Sequence, residues 1–101
     1  MPKGYWIAHV DISNPEGYKA YQDANAKPFA HYGARFLARG GDSELVEGAS
    51  RSRHVIIEFP TYEAACDCYH CEDYQYAKSL RAGAGIADII VVAGYDGIQP
   101  G

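Results

Sequence analysis

Residues 4–21, GYWIAHVDISNPEGYKAY, hold the transition on which the fold turns. Along residues 5–12 the even positions Trp6, Ala8, Val10 and Ile12 are all apolar. The odd positions mix Tyr5 and Ile7 with His9 and Asp11. Side chains alternate across a strand, so this segment reads as a β-strand with one apolar face and one partly polar face. The period then changes. Asn14 can cap a helix whose first position is Pro15, where a fixed φ and a missing N–H cost nothing. Tyr18, Tyr21, Asn25, Phe29 and Tyr32 recur at helical spacing, and Gly33 is a natural left-handed stop. Pro28 removes a backbone donor and predicts a kink or a division of this helix.

Outward from that unit, ARFLARGGDSELVEG (residues 34–48) reads as a second strand, interrupted by a bulge or tight bend at Gly40 and Gly41. RHVIIEF (residues 53–59) is a third strand after a polar loop. Thr61 caps a second helix carrying the stripe Tyr62, Ala65, Cys66 and Tyr69, and a further helical turn or two runs over residues 73–81. GAG at residues 83–85 breaks it, and IADIIVVAG is the last strand. The order β-α-β-β-α-β predicts an α+β, ferredoxin-like fold: an antiparallel sheet with two helices on one face. No repeat or linker interrupts residues 1–101, which read as one domain. Residues 89–92 are apolar at consecutive positions, hence on both faces, so the uncovered face needs a partner. A second copy of the chain supplies one most simply, and a homodimer is expected.

The formal net charge is −4 and the pI about 5.4. With no basic block beyond SRSR at residues 50–53, nucleic acid is not an expected partner. The first residues lack an apolar signal core, and the longest apolar run is far too short for a bilayer. A cytoplasmic setting without membrane contact is the expectation. It agrees with three clustered cysteines that make no disulfide framework.

Those cysteines lie in ACDCYHCEDYQY (residues 65–76). On a helix Cys66 and His70 share one side, while Cys68 and Cys71 share another, so one tetrahedral ion cannot collect three thiolates. His9, His31 and His54 stand apart in sequence and offer no second ligand cluster. The C-x-x-C at Cys68–Cys71 does not follow a strand at a helix N-terminus, where a thiol would be acidified. The expected roles are Cys66 in the core, Cys68 exposed and Cys71 a cap for the next turn, with no metal site.

GYWIAHVDISNPEGYKAY, YGARFLARGG, VIIEFPTYEAA and DYQYAKSLR, in this order over roughly residues 4–94, resemble a family of short bacterial proteins, domain-of-unknown-function family thirteen-thirty (DUF1330). The resemblance implies the dimeric α/β-barrel arrangement, two sheets packed face to face. It implies no particular activity, because that superfamily spans cofactor-independent monooxygenases, lactone isomerases and haem enzymes. The cysteine-rich helix end departs from the family pattern.

Candidate chemistry falls on a few side chains. His9, on the mixed face of the first strand, can serve as a general base or ligand contact; otherwise it is a histidine bonded to a nearby carbonyl. Arg39, where the second strand bends, can clamp a carboxylate or enolate; otherwise it forms a cross-strand ion pair with Glu58. Tyr18, Tyr21, Tyr32, Tyr69 and Tyr74 suit the wall of a pocket for an oxygenated ligand, or an ordinary core with hydroxyls at its rim. Gly40 and Gly41 read as turn chemistry. No Ser-His-Asp order, paired-carboxylate motif or dinucleotide fingerprint appears, and no cofactor is expected. Two readings stand. One is an enzyme working without cofactor by proton transfer or oxygenation on a small oxygenated molecule, with His9 as base, Arg39 as clamp, and Glu58 and the tyrosines contacting ligand. The other is a non-catalytic binding or stress-associated module in which Arg39 and Glu58 are structural.

Overall fold

A computed structural model describes residues 2–101. The chain runs β1 (Gly4–Ile12), α1 (Pro15–His31), β2 (Arg35–Arg39), β3 (Arg53–Phe59), α2 (Tyr62–His70), α3 (Glu72–Leu80) and β4 (Gly85–Ala93). Its four strands form one antiparallel sheet in the order β2-β3-β1-β4, the ferredoxin-like arrangement. The helices cover one face of that sheet.

The alternation in β1 decides what lies beneath them. Trp6, Ala8 and Val10 are buried, with Val55, Ile57 and Phe59 of β3 beside them in register. Trp6 is the hub: its ring meets Phe29, Phe59, Tyr69 and Tyr74 at centroid distances of 4.9–5.7 Å. Its indole Nε1 donates to the Ala65 carbonyl at 2.8 Å, tying the sheet to α2. Burying one such ring stabilises the fold by roughly 1.5–3 kcal/mol. Gly4 is required where β1 passes under α2, because a Cβ would lie 2.6 Å from both the Thr61 carbonyl oxygen and the Tyr62 Cα.

The helix ends follow their capping chemistry. Asn14 and Thr61 accept backbone N–H groups from Gly17 and Ala64. Helix α1 is not divided at Pro28, which sits in its last turn, although the missing N–H leaves the Ala24 carbonyl without its usual helical donor. Instead of one helix with a ragged extension, α2 and α3 are separate helices of nine residues each, joined at Cys71. Cys71 has extended backbone and its Sγ accepts from the Tyr74 N–H at 3.3 Å, so the anticipated cap forms.

Two expectations are corrected. The second strand ends at Arg39 rather than continuing to residue 48, because Gly40 (φ 71°) turns the chain away and sends its N–H to the His54 carbonyl at 2.9 Å. The irregularity also lies earlier than Gly40-Gly41. Arg35 and Phe36 pair with Glu58 and Ile57, but Ala38 and Arg39 pair with Ile56 and Val55, which leaves Leu37 as a bulge.

Among the described residues no helix covers the second face of the sheet. Ile86, Ile90 and Val92 stand 61%, 58% and 40% exposed there, beside half-buried Ile7 and Ile56. No helix is long and apolar enough to cross a membrane among the described residues.

Candidate functional site

Between the helices and the covered face of the sheet lies a cavity with about 30 Å³ open to the centre of a water molecule. That is room for roughly two waters. Its floor is apolar, made by Trp6, Val10, Val55 and Ile89, while α1 contributes Tyr18, Tyr21, Gln22 and Asn25. Three guanidinium groups complete the lining: Arg39 from β2, Arg53 from β3 and Arg81 just beyond α3. No lining residue is Asp, Glu or His.

The bulge at Leu37 brings Arg39 here. In the register that Arg35 and Phe36 begin, Arg39 would oppose His54 and face the open side. One extra residue flips it to the covered side, opposite Val55. Arg39 is exposed at the cavity edge and stacks on the Phe36 ring, its Cζ 4.1 Å from the centroid. Arg53 rests against Gly40, whose missing side chain leaves the space the guanidinium occupies. Its Nε is buried without a hydrogen-bond partner, alone in this among the described residues. Arg81 is 8% exposed, donates from Nη1 to the Tyr74 hydroxyl at 3.1 Å, and lies over the Tyr21 ring at 4.8 Å. Arg53 and Arg81 carry no signal in sequence beyond following a polar loop and closing a helix, and the sequence reading missed both.

The tyrosines divide. Tyr18 and Tyr21 line the cavity, and Tyr74 joins it through a 2.8 Å hydroxyl contact with Tyr21. Burial pushes the Tyr18 phenol above its ordinary pKa, aided by Tyr21 and opposed by Arg53 and Arg81. Burial and then Tyr21 raise Tyr74 further. These phenols are neutral donors at physiological pH, not bases. Tyr69 packs against Trp6 and Tyr74 instead of lining the cavity, and Tyr32 lies at a separate shallow hollow near Cys71.

Neither His9 nor Glu58 is part of this cavity. His9 faces the open side of the sheet, opposite His54 on one neighbour and Asp88 on the other. The two imidazoles, remote in sequence, meet at 2.7 Å between Nδ1 atoms, so one donates and the other accepts. Glu58 is also on the open side, accepting from the Tyr5 hydroxyl at 3.1 Å and pairing with Lys3 at 3.5 Å. The Arg39–Glu58 ion pair therefore does not form, because the bulged register puts Arg35 opposite Glu58 and turns Arg39 to the other face.

The cysteine assignment is also corrected. Cys68 is the fully buried thiol, near enough to donate to the Pro28 carbonyl at 3.8 Å, and Cys66 is only half-buried. Burial, reinforced by Cys71, pushes the Cys68 thiol up to about 12. Among the described residues no cluster of His, Cys, Asp and Glu could hold a metal ion.

The profile of the domain of unknown function DUF1330 matches residues 3–95. The chain belongs to this family. No curated protein matches the sequence. Solved structures similar to this DUF1330 chain include the RPA0582 protein of unknown function from Rhodopseudomonas palustris, at 17% identity and TM-score 0.73 over 98% of this chain and 85% of that one. SnoaB, a cofactor-independent oxygenase from Streptomyces nogalater, aligns at 11% identity and TM-score 0.64 over the whole of both chains. A dimeric protein of unknown function and ferredoxin-like fold from Bacteroides fragilis aligns at 8% identity and TM-score 0.58, over 90% of this chain and 95% of that one. At these identities the likeness is one of fold.

Proposed function

We propose that this DUF1330 chain is a homodimer that binds one small oxygenated organic molecule per subunit, in the cavity between helices and sheet. The observation that carries the reading is convergence: apolar floor, phenol hydroxyls and guanidinium donors meet around one enclosed space. Its present volume suits a polar head group, and the rest of a ligand would leave past Gln22 and the exposed Arg39. Arg39, Tyr18, Tyr21 and Tyr74 are the proposed contacts, while Tyr69 supports them from behind. The dimer reading rests on the uncovered isoleucines and on the Bacteroides fragilis protein described as dimeric. A second copy on the open face would bury His9 and Glu58 at the interface, which gives them a role in assembly.

A thermal-shift screen of the wild-type protein against a metabolite library tests the reading. At least one oxygenated compound should raise the melting temperature, and Ala87→Leu, which fills the cavity, should abolish that shift while the fold is kept. A library without a stabilising compound, or hits indifferent to Ala87→Leu, would remove the cavity as a binding site.

A catalytic reading is favoured by the fold shared with SnoaB, named a cofactor-independent oxygenase. With no carboxylate or imidazole in the lining, such a reaction would rest on stabilising negative charge on the substrate rather than on a protein base. Oxygen uptake in the presence of a library hit, without added cofactor, separates this enzyme from the binding module.

A further inference from the structure

We infer that the cavity takes the anionic end of its ligand, a carboxylate or enolate, held by Arg53 and Arg81 with Arg39 at the entrance; this rests on the binding site proposed above and specifies its ligand. Three arginines line one small space in a chain of net charge −4. The ion pairs among the described residues join Lys3, Lys19, Lys27 and Arg51 to carboxylates, and none includes Arg39, Arg53 or Arg81. Exposed Arg35 and Lys78 are also outside these pairs, but water solvates them, whereas Arg81 is 8% exposed and Arg53 Nε is buried. Guanidinium is charged at every accessible pH, so burial cannot neutralise it as it would a lysine. Enclosing unpaired cations is unfavourable unless an anion joins them.

The hydrogen bonds have the same polarity. Arg53 Nε is a buried donor with no acceptor. Arg81 donates to the Tyr74 oxygen, so the acceptor left for the Tyr74 hydrogen is Tyr21, 2.8 Å away. The Tyr21 hydrogen is then free at the cavity wall. The amides of Gln22 and Asn25 can accept as well as donate, but every charged group facing the space is a cation. A carboxylate or enolate oxygen accepts several donors at once, in charge-assisted bonds that neutral carbonyls cannot match. Room for roughly two waters also suits the two oxygens of a carboxylate.

Formate and formamide have the same size and differ in charge, and both fit the cavity as it stands. Titrating each while following the Nε–H resonances of Arg53 and Arg81 by NMR reads the inference directly. Formate should shift both resonances saturably, with an affinity at least tenfold above that of formamide. Arg53→Gln and Arg81→Gln, checked for intact folding by circular dichroism, should each weaken formate at least tenfold. Arg39→Gln, at an exposed position at the cavity edge, should weaken it less. Formamide binding as tightly as formate, or formate binding unchanged in Arg53→Gln, would overturn the anion assignment. A neutral library hit displaced by Ala87→Leu would then leave the cavity standing as a site. Formate without effect, together with a library without hits, would overturn both.

Discussion

The two faces of one sheet use the same strands for opposite ends. On the covered face Trp6, Val55, Ile57 and Phe59 are at most 8% exposed and pack against α1, α2 and α3. On the other face their neighbours Ile7, His9, Ile56 and Ile90 are covered by no helix, and only the loop at residues 49–51 approaches, beside His9. The covered face is complete within one chain, and the open one carries exposed Ile86, Ile90 and Val92 among polar side chains such as His9, Glu58 and Asp88. Exposed apolar side chains grouped on one face mark an interaction surface. In the proposed dimer, folding and assembly are coded by alternate residues of the same segments, and each can be attacked separately.

The largest effect belongs to the covered face. Trp6→Ala removes the hub ring and its bond to Ala65, and should destabilise the chain by about 3–5 kcal/mol in denaturant unfolding. A loss below about 1 kcal/mol would mean that the aromatic cluster is not the core. On the open face Ile90→Lys should leave each subunit's secondary structure intact but halve the mass in solution, from twice 11.0 kDa to the monomer value. It should also abolish the rise of melting temperature with protein concentration. An unchanged mass by analytical ultracentrifugation would put the interface elsewhere.

Deleting Leu37 removes the bulge without exchanging faces. Ala38 and Arg39 already oppose Ile56 and Val55, so the shortened strand pairs regularly and Arg39 stays on the covered side. The response to formate should be retained, with stability changed by no more than about 1 kcal/mol. Loss of formate binding would show that the bulge itself, and not the face alone, sets Arg39 at the entrance.

Modest effects also come from the thiols. Cys68→Ser puts a hydroxyl in a fully buried place and should cost about 1–2 kcal/mol, whereas Cys66→Ser should stay within about 0.5 kcal/mol. Cys68 has a thiol pKa raised from 9.0 to about 12 in the folded chain, and buried Tyr18 and Tyr74 are raised from 10.0. Raised values mean that the unfolded chain releases its protons first. Their contribution is fully present below about pH 9 and is lost progressively as pH rises toward 12. Urea midpoints should fall across that window, less steeply in Cys68→Ser, and iodoacetamide should reach Cys66 and Cys71 before Cys68.

How far the sequence could be read follows from the range of the interactions. The order of the elements, the caps at Asn14, Thr61 and Cys71, and the apolar face of β1 are local patterns, and they are visible in the residues themselves. The orientation of Arg39 is not, because it depends on a bulge defined only by the pairing of β2 with β3. The Gly40-Gly41 signal was real in kind: Gly40 ends the strand and makes room for Arg53. The unpaired position is Leu37, which has no special backbone requirement to betray it. His9 with His54, and Tyr74 with Tyr21, are contacts between residues far apart in the chain. The Cys66 and Cys68 assignments were exchanged because α2 is short and turns its Cys68 side to Pro28 of α1.

The single tryptophan has an optical consequence. Trp6 is 1% exposed, sits on the cavity floor and is held by one hydrogen bond to α2. Its emission should be blue-shifted in the native chain and move to the red when water reaches the ring. Excitation energy absorbed by Tyr69 and Tyr74, within 5.7 Å of it, should drain into the same indole. The molecule thus carries its own label at the point where sheet, helix and cavity meet. Selective excitation at the red edge of the absorption band would report arrival of a guest in the cavity without any chromophore being added.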